Sequence, residues 1–362
     1  MEVVLPRTLE EALEMKEAHP EAVPIAGGTD LMVELNFDHA RPEAMIDVSR
    51  VPELQVWRRE DGHLFVGAGV TYTRILHELP EMRALVQASR SVGSPQIRNR
   101  GTIGGNLGTA SPAGDALPVV AAHDGEVVLI AAGDRVRTVP WQAFLLGPKR
   151  NALASDELIL GARWRVVRGP QSFSKVGTRN AMVIAVASLC LVMDDETRTV
   201  RVALGSVGPN VLRAPDAEAF VADALARAGT WEDASAPVPP GDVEGFGERV
   251  AAAATPIDDV RGTAEYRRHA CRVLAQRALG WARDERAEAA EAFAEQAFEE
   301  AGLWDDPRAH LGPEVIERFG ELVAEAANPI DDVRGTSVYR RHAVAVMARR
   351  ALGWALAGRA AG

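Results

Sequence analysis

The chain has 362 residues, which at about 150 residues per domain predicts two or three domains. Its 51 acidic and 40 basic side chains leave a net charge of −11, which argues against nucleic-acid binding because such proteins usually present a basic face. No apolar run reaches the roughly 18 residues of a membrane span, and residues 1–36 lack the basic-then-apolar pattern of a signal peptide. We therefore expect a cytoplasmic protein with no membrane span.

The cysteine count limits the redox chemistry that this chain can hold by itself. Cys190 and Cys271 are too few for an iron–sulfur cluster, which normally needs four thiolates, and no CxxC pair offers a zinc site. We expect no metal in this chain, so any redox chemistry requires an organic cofactor or a partner chain.

The first half of the chain alternates short apolar runs with amphipathic segments, a pattern typical of α/β or α+β folds. Thr8 and Glu11 form a capping box that predicts a helix running to about Ala18. Asp61-Gly62 predicts a type I′ hairpin turn between two strand-like runs. Other predicted strands lie at 3–5, 22–26, 44–48, 126–131 and 135–139, and helices are predicted from 71 and over 81–92.

Beyond residue 157 the chain is first strand-like and then helical. Residues 158–167, 181–193 and 200–207 are rich in Val and Ile, which favour strands, and 194–197 looks like a hairpin loop between the last two. These runs predict an antiparallel sheet. After Pro215 the sequence becomes alanine-rich and helical.

The helical tail contains a tandem duplication. The segment 256–263 recurs at 329–336, and 266–270 recurs at 339–343, both offset by 73; aligning 217–282 with 290–355 gives 40 identities in 66 positions. Two copies are fewer than a solenoid needs, so we predict one duplicated helical unit. Tyr266 and His269 are neighbours on a helix and suggest a catalytic pair, but the preceding Asp258-Asp259 favours a structural cap whose arginines bridge to acidic neighbours.

Two glycine-rich segments, 24–30 and 101–108, are the first candidate binding motifs. Their glycines permit positive φ and let successive backbone N–H groups converge on an anion such as a pyrophosphate. The alternative is a pair of ordinary tight turns. Neither segment has the G-x-G-x-x-G of a Rossmann fold or a P-loop GK[ST].

Two charged residues are further candidates. Asp115, within 110–118, is suited to accept hydrogen bonds from ribityl or ribose hydroxyls, or alternatively to cap a turn or the following helix. Lys175 is one of only three lysines, and its ammonium is suited to a cofactor carbonyl or phosphate oxygen. The alternative is an exposed, solubilising lysine.

Four motifs occur in a fixed order along the chain: 25–31, then 101–106 followed by 110–115, then 173–177 with 181–187, and finally 256–262. Together they resemble the FAD-binding medium subunit of molybdenum hydroxylases, such as xanthine dehydrogenase, carbon monoxide dehydrogenase and aldehyde oxidoreductase relatives. The resemblance covers residues 1 to about 282.

The resemblance implies an α+β fold of the vanillyl-alcohol-oxidase type. Two α/β subdomains hold the FAD, and a C-terminal domain has an antiparallel sheet and helices, of which the helical part is duplicated here. The expected boundaries are 1–55 and 56–167 for the two FAD-binding subdomains, 168–282 for the C-terminal domain, and 283–362 for the second helical copy.

The resemblance also implies the cofactor contacts. The two glycine-rich segments wrap the pyrophosphate and adenosine side, Asp115 contacts the ribityl or ring region, Leu153 packs near the isoalloxazine, and Lys175 reaches a flavin oxygen. The implied FAD-binding residues are Ile25, Ala26, Gly27, Gly28, Thr29, Asp30, Leu31, Gly101, Thr102, Ile103, Gly104, Gly105, Asn106, Ala110, Ser111, Asp115, Leu153 and Lys175.

The implied function is electron transfer within a larger enzyme. A molybdopterin-binding large subunit hydroxylates the substrate, a small subunit carries [2Fe–2S] clusters, and FAD in this chain passes the electrons to an external acceptor; the assembly is expected to be a dimer of heterotrimers. Two alternatives remain open: a stand-alone FAD oxidoreductase of the same fold, and a degenerate interaction subunit without flavin. We expect the second helical copy to enlarge contact with a partner or a symmetry mate.

Overall fold

A computed structural model describes residues 2–167, 169–179, 182–231, 236–283, 311–326 and 337–360. The chain divides into two compact units, one of residues 1–231 with 238–279 and one of residues 232–237 with 280–362. Every residue implied in FAD binding lies in the first unit. No helix in the described ranges is long and apolar enough to cross a membrane.

The first unit begins with a three-stranded parallel sheet in the order β1-β3-β2. Its elements are β1 (Glu2–Val4), α1 (Leu9–Ala18), β2 (Val23–Ile25), α2 (Leu31–Asn36) and β3 (Ala44–Asp47). The predicted N-cap is confirmed, since the Thr8 hydroxyl accepts the Glu11 N–H and α1 ends at Ala18; the Glu11 carboxylate accepts the N–H of Arg7, one residue before Thr8. Leu13 of α1 packs in one apolar cluster with Ile46 of β3, so the helix covers the sheet.

A five-stranded antiparallel sheet follows, in the order β4-β5-β10-β6-β7. Its strands are β4 (Trp57–Glu60), β5 (His63–Gly67), β6 (Glu126–Ala131), β7 (Arg135–Pro140) and β10 (Glu157–Arg165), and a small hairpin of β8 (Leu145–Gly147) and β9 (Arg150–Asn151) lies between β7 and β10 in sequence. Asp61 and Gly62 have φ of +49° and +74°, which confirms the type I′ turn. The strands predicted at 126–131 and 135–139 are confirmed as β6 and β7.

Short helices lie between β5 and β10 in the sequence. They are α3 (Tyr72–Glu78), α4 (Arg83–Ser91), α5 (Pro95–Arg98), α6 (Ile103–Thr109), α7 (Ala116–Ala122) and α8 (Trp141–Phe144). Leu85 of α4, Ile103 of α6 and Val127 of β6 belong to one buried cluster. The segment between α4 and α7 is thereby fixed against the core, and this segment carries the second glycine-rich motif.

The third sheet is antiparallel, in the order β11-β12-β13-β14. Its strands are β11 (Gln171–Val176), β12 (Ala187–Asp194), β13 (Thr199–Gly205) and β14 (Leu212–Arg213). The hairpin loop predicted at 194–197 is confirmed between β12 and β13. All eight residues of β12 are buried, which explains the apolar run 189–193.

Two strand predictions were wrong in part. The strand predicted from 181 begins at Ala187, because Met182 has φ of +50° and residues 182–186 form a loop in which Met182 and Ile184 are exposed. The strand predicted at 158–167 is β10, which belongs to the five-stranded sheet. Both of its edges pair, one with β5 and one with β6, so it has no edge left for the third sheet.

Three helices complete the first helical copy: α9 (Pro215–Arg227), α10 (Pro240–Ala253) and α11 (Ala264–Arg283). Arg267 is 1% exposed and donates to the carbonyl oxygens of Val186 (2.8 Å) and Ser206 (2.6 Å), and it pairs with Asp259. Tyr266 is exposed. The structural interpretation of the repeated motif is therefore confirmed for this copy, since its arginine anchors α11 to the third sheet.

The described part of the second unit contains α12 (Pro313–Ala326) and α13 (Ser337–Ala360). Leu311 and Leu352 are buried together with partly buried neighbours such as Phe319, so the two helices share a small apolar core. The repeated segment 329–336 lies outside the described residues.

Candidate cofactor site

The two glycine-rich segments are in direct contact. A Cβ on Gly27 would lie 1.9 Å from the carbonyl oxygen of Arg100, so only glycine allows this approach. Gly28 adopts φ of +71°, which also favours glycine. At the other end of the contact, the Thr109 hydroxyl donates to Asp30 Oδ2 at 3.3 Å. The fold thus brings together two segments that lie about 75 residues apart in the sequence.

The second segment, 101–108, is held by backbone and hydroxyl contacts. The Thr102 hydroxyl accepts the Gly105 N–H at 2.9 Å, where α6 begins. A Cβ on Gly104 would lie 2.4 Å from Ala68 Cβ, so packing requires glycine there. Gly105 is exposed, and a Cβ there would meet only the Thr102 hydroxyl, at 3.2 Å. The protein's own packing therefore leaves open surface beside Gly105.

The end of α6 and the loop 110–115 lead into α7. The Asn106 side chain accepts the Ala116 N–H at 3.1 Å, and the Ser111 hydroxyl accepts the Ala113 N–H at 3.3 Å. Ala110 ends α6 in the left-handed region with φ of +47°. These three predicted contact residues hold the loop in the conformation that carries Asp115.

Asp115 and Lys175 form a buried ion pair, which the sequence did not predict. Lys175 Nζ donates to Asp115 Oδ2 at 2.5 Å and to the Ser91 carbonyl oxygen at 2.8 Å. The Asp115 side chain is 7% exposed and the Lys175 side chain is 9% exposed. Asp115 precedes α7 without making a capping hydrogen bond. The two alternatives, a capping aspartate and an exposed lysine, are therefore both wrong.

Asp115 still has one oxygen without a partner. Oδ1 is buried and accepts no hydrogen bond among the described residues, while Oδ2 also lies 3.3 Å from the Ser91 hydroxyl. Burial raises the pKa of the Asp115 carboxyl, and this effect outweighs the opposing attraction of Lys175. An unpartnered buried acceptor costs about 1–3 kcal/mol, so this oxygen is suited to receive a donor from a bound molecule.

A cleft of about 540 Å³ opens beside Lys175, within the size range of small-molecule sites. It is lined by the end of α4, by α5, by β11 and by the loop after β11. Arg90, Arg98 and Arg179 line it together with Lys175, and none of the described lining residues is acidic. The cleft is therefore suited to an anionic or electron-rich group.

One predicted residue, Leu153, does not line the cleft, and one contact of the ion pair, Ser91, was not predicted. Leu153 is half-buried, packs against the main core and is not among the residues that line the cleft. Ser91 contacts both members of the ion pair, yet its position in the last turn of α4 gave no signal in the sequence. Only the tertiary fold, which places α4 beside β11, reveals it.

Comparison with known proteins identifies both halves of the first unit. Residues 1–163 match the family described as FAD binding domain in molybdopterin dehydrogenase, and residues 172–282 match the CO dehydrogenase flavoprotein C-terminal domain. The chain is 30% identical over 269 residues to the carbon monoxide dehydrogenase medium chain of Hydrogenophaga pseudoflava, covering 72% of this chain and 89% of that protein. It is 36% identical over 198 residues to the nicotinate dehydrogenase FAD-subunit of Eubacterium barkeri, covering 51% of this chain and 66% of that protein.

A solved structure of carbon monoxide dehydrogenase from Hydrogenophaga pseudoflava matches with a TM-score of 0.68 at 28% identity, covering 78% of this chain and 98% of that chain. The fold and the buried pair thus belong to an FAD-binding oxidoreductase subunit. More particularly, the chain belongs to the FAD-binding subunits of the molybdenum hydroxylase family, and the resemblance predicted from four motifs is confirmed. Residues 283–362 extend beyond both family matches.

Proposed function

We propose that this chain is the electron-transfer subunit of a molybdenum hydroxylase, receiving electrons from [2Fe–2S] clusters of a partner and passing them through FAD to an external acceptor. The observation that carries the proposal is the buried ion pair between Asp115 of the FAD-binding domain and Lys175 of the C-terminal domain, in which Asp115 Oδ1 is unpartnered and Lys175 lines the cleft. A carboxylate oxygen and an ammonium so placed fit the hydroxyl donors and carbonyl acceptors of a flavin nucleotide.

The residues of this chain would bind and orient FAD in two regions. The segments 25–31 and 101–106 would hold the pyrophosphate and adenosine side, with the open surface at Gly105 admitting the cofactor. Asp115 would accept a donor from the ribityl or ring region, Lys175 would donate to a flavin oxygen, and Leu153 would pack near the isoalloxazine. When bound, FAD supplies a redox centre that exchanges electrons with both one-electron and two-electron partners.

The finer architecture belongs to the same proposal. We assign the vanillyl-alcohol-oxidase-type arrangement, with FAD-binding subdomains at 1–55 and 56–167, a C-terminal domain at 168–282, and a second helical copy at 283–362. The parallel sheet within 2–47 and the antiparallel sheet within 57–165 support two subdomains. The third sheet and α9 to α11 support the C-terminal domain.

The partners follow from the family. The matched structure is of a carbon monoxide dehydrogenase that lacks the Mo-pyranopterin moiety of its molybdenum cofactor, and the relative from the same organism is the medium chain of that enzyme. We propose a molybdopterin-binding large subunit and a [2Fe–2S] small subunit, assembled as a dimer of heterotrimers in the cytoplasm. Both cysteines of this chain are buried and unpaired, so the clusters belong in a partner.

Two measurements test the proposal. The purified chain should bind one FAD, identified by its absorbance bands and by mass analysis of the released nucleotide. Affinity purification from the native host should recover molybdenum and iron with the chain, and the bound flavin should be reduced only when those partners and their substrate are present.

The same measurements decide between the alternatives. A chain that purifies with FAD but without iron or molybdenum, and reduces a small substrate alone, would be a stand-alone oxidoreductase. A chain that binds no flavin and still recovers protein partners would be a degenerate interaction subunit.

A further inference from the structure

Tyr72, the first residue of α3, contacts the glycine-rich segment 101–108. Its N–H donates to the Gly101 carbonyl oxygen at 3.1 Å, and a Cβ on Gly101 would lie 3.3 Å from its ring. Its neighbour Thr71 pairs with Thr102 in a β-bridge. Tyr72 is therefore fixed against the glycine-rich segment 101–108 by both its main chain and its ring.

The hydroxyl of Tyr72 is buried and has no hydrogen-bond partner among the described residues. The side chain is 3% exposed. The missing partner is unusual, because a buried tyrosine hydroxyl normally finds one. Asp115 Oδ1 is likewise buried and unpartnered. Burial, and after it the Asp115 carboxylate, raises the pKa of Tyr72, so the phenol remains a hydrogen-bond donor.

These two unpartnered atoms differ in kind: Tyr72 supplies a donor and Asp115 supplies an acceptor. A hydroxyl group both donates and accepts, so hydroxyl groups of one ligand can satisfy both atoms. In FAD, the ribityl chain carries such hydroxyls and connects the pyrophosphate to the ring. A cofactor held by the segment 101–106 at one end and by Lys175 at the other must pass its ribityl chain between them.

We propose that Tyr72 is a further cofactor-binding residue, whose hydroxyl donates to a ribityl hydroxyl of FAD on the side of the site shared with Asp115. The inference rests on the proposed function, because it requires FAD to be the ligand. It adds a donor from α3 to a site otherwise built from the glycine-rich segments and the buried ion pair.

The test uses the full-length chain and measures the dissociation constant for FAD by quenching of flavin fluorescence. Tyr72→Phe removes only the hydroxyl and should weaken FAD binding about three- to tenfold, the expected effect of one hydrogen bond. The flavin-free variant should melt at the wild-type temperature or above, because an unpartnered buried hydroxyl has been removed.

Ser89→Ala is the matched control. Ser89 is fully buried on α4 and its hydroxyl also has no partner, but it makes no contact with Asp115, Lys175 or the glycine-rich segments among the contacts described. It should leave the FAD dissociation constant unchanged. A double-mutant cycle of Tyr72→Phe with Asp115→Asn adds a second readout, since two residues that contact the same ribityl chain should show non-additive losses in FAD binding.

The outcomes separate the two proposals. If the wild-type chain binds FAD and Tyr72→Phe binds it as tightly as Ser89→Ala does, Tyr72 is an ordinary core residue and the inference is overturned while the proposed function stands. Additive losses in the double-mutant cycle would also count against a shared contact. If the wild-type chain binds no FAD, the proposed function fails first, and this inference fails with it.

Discussion

At the scale of single residues, the buried pair of Asp115 and Lys175 is stable only because each charge compensates the other. Removing either partner leaves an uncompensated charge in the interior, which typically costs 3–5 kcal/mol. The contact of Lys175 with the Ser91 carbonyl oxygen, at the end of α4, adds a second acceptor for the ammonium. The pair is thus as important for the fold near the cleft as for the proposed contact with FAD.

Lys175→Met should therefore destabilise the flavin-free protein by about 3 kcal/mol at pH 8. Burial already raises the pKa of Asp115 above its unfolded value, and loss of the lysine raises it further. A carboxyl with a raised folded-state pKa favours folding as it gains its proton. The loss of stability in Lys175→Met should therefore shrink as pH falls toward 5. Urea unfolding of the variant and the wild type at both pH values measures the difference.

Lys149→Met provides the control for removing a lysine charge. Lys149 pairs with Glu34 at the surface, and its side chain is 54% exposed, so the variant should lose less than about 1 kcal/mol. If Lys175→Met is equally stable at pH 5 and pH 8 and is no less stable than Lys149→Met, Asp115 carries no buried charge.

The rarity of lysine singled out Lys175, and the structure places its ammonium in a buried ion pair and not on the surface. The other two lysines also make defined contacts. Lys16 is buried and donates to the carbonyl oxygens of Pro20 and Ala22, while Lys149 pairs with Glu34. The sequence could not predict that Lys175 pairs with Asp115, because they lie 60 residues apart on different elements. The contacts of Ser91 with the pair were missed for the same reason.

At the scale of elements, local signals were reliable wherever the chemistry is local. The N-cap at Thr8 and the turn at Asp61-Gly62 specify geometry over a few residues, and both are confirmed. The prediction over 181–186 was wrong because Met182 and Ile184 are apolar but exposed, 53% and 61% respectively. Hydrophobicity alone cannot distinguish an apolar residue in a surface loop from one in a buried strand.

The glycines of α6 provide a test of the proposed cofactor surface. Gly105→Ala should stabilise the flavin-free protein by about 0.5–1 kcal/mol, because alanine is a better helix former and a Cβ there meets only the Thr102 hydroxyl. If FAD lies against this surface, the same Cβ should raise the FAD dissociation constant at least about tenfold. Thermal melting and fluorescence titration measure the two effects separately.

Gly280→Ala is the matched control, because Gly280 is an exposed helical glycine of α11 with no atom within 4 Å of a Cβ at that position. It should give a similar gain in stability and no change in FAD affinity. Unchanged affinity in Gly105→Ala would place the cofactor away from this part of the segment 101–108.

At the scale of the whole molecule, the duplication copies helices without the sheet on which the first copy depends. In the first copy, Arg267 of α11 donates to carbonyl oxygens next to β12 and β13, and Leu274 is 4% exposed. Met347 occupies the position equivalent to Leu274 in the second copy and is 60% exposed. Similar sequences therefore reach different degrees of burial, since burial depends on the surrounding elements. The sequence predicted the duplication but not this difference.

Truncation after Arg283 tests whether the second copy contributes to the cofactor site. Every proposed FAD contact and the anchor at Arg267 lie before that residue, so the shortened chain should fold and bind FAD within about twofold of the full-length affinity, a difference below about 0.4 kcal/mol. Truncation after Thr255 is the contrasting variant. It removes α11 with Arg267, leaves the carbonyl oxygens of Val186 and Ser206 without their donor, and should abolish cooperative melting. Loss of FAD binding in the chain that ends at Arg283 would make the second copy part of the cofactor site and not an accessory unit.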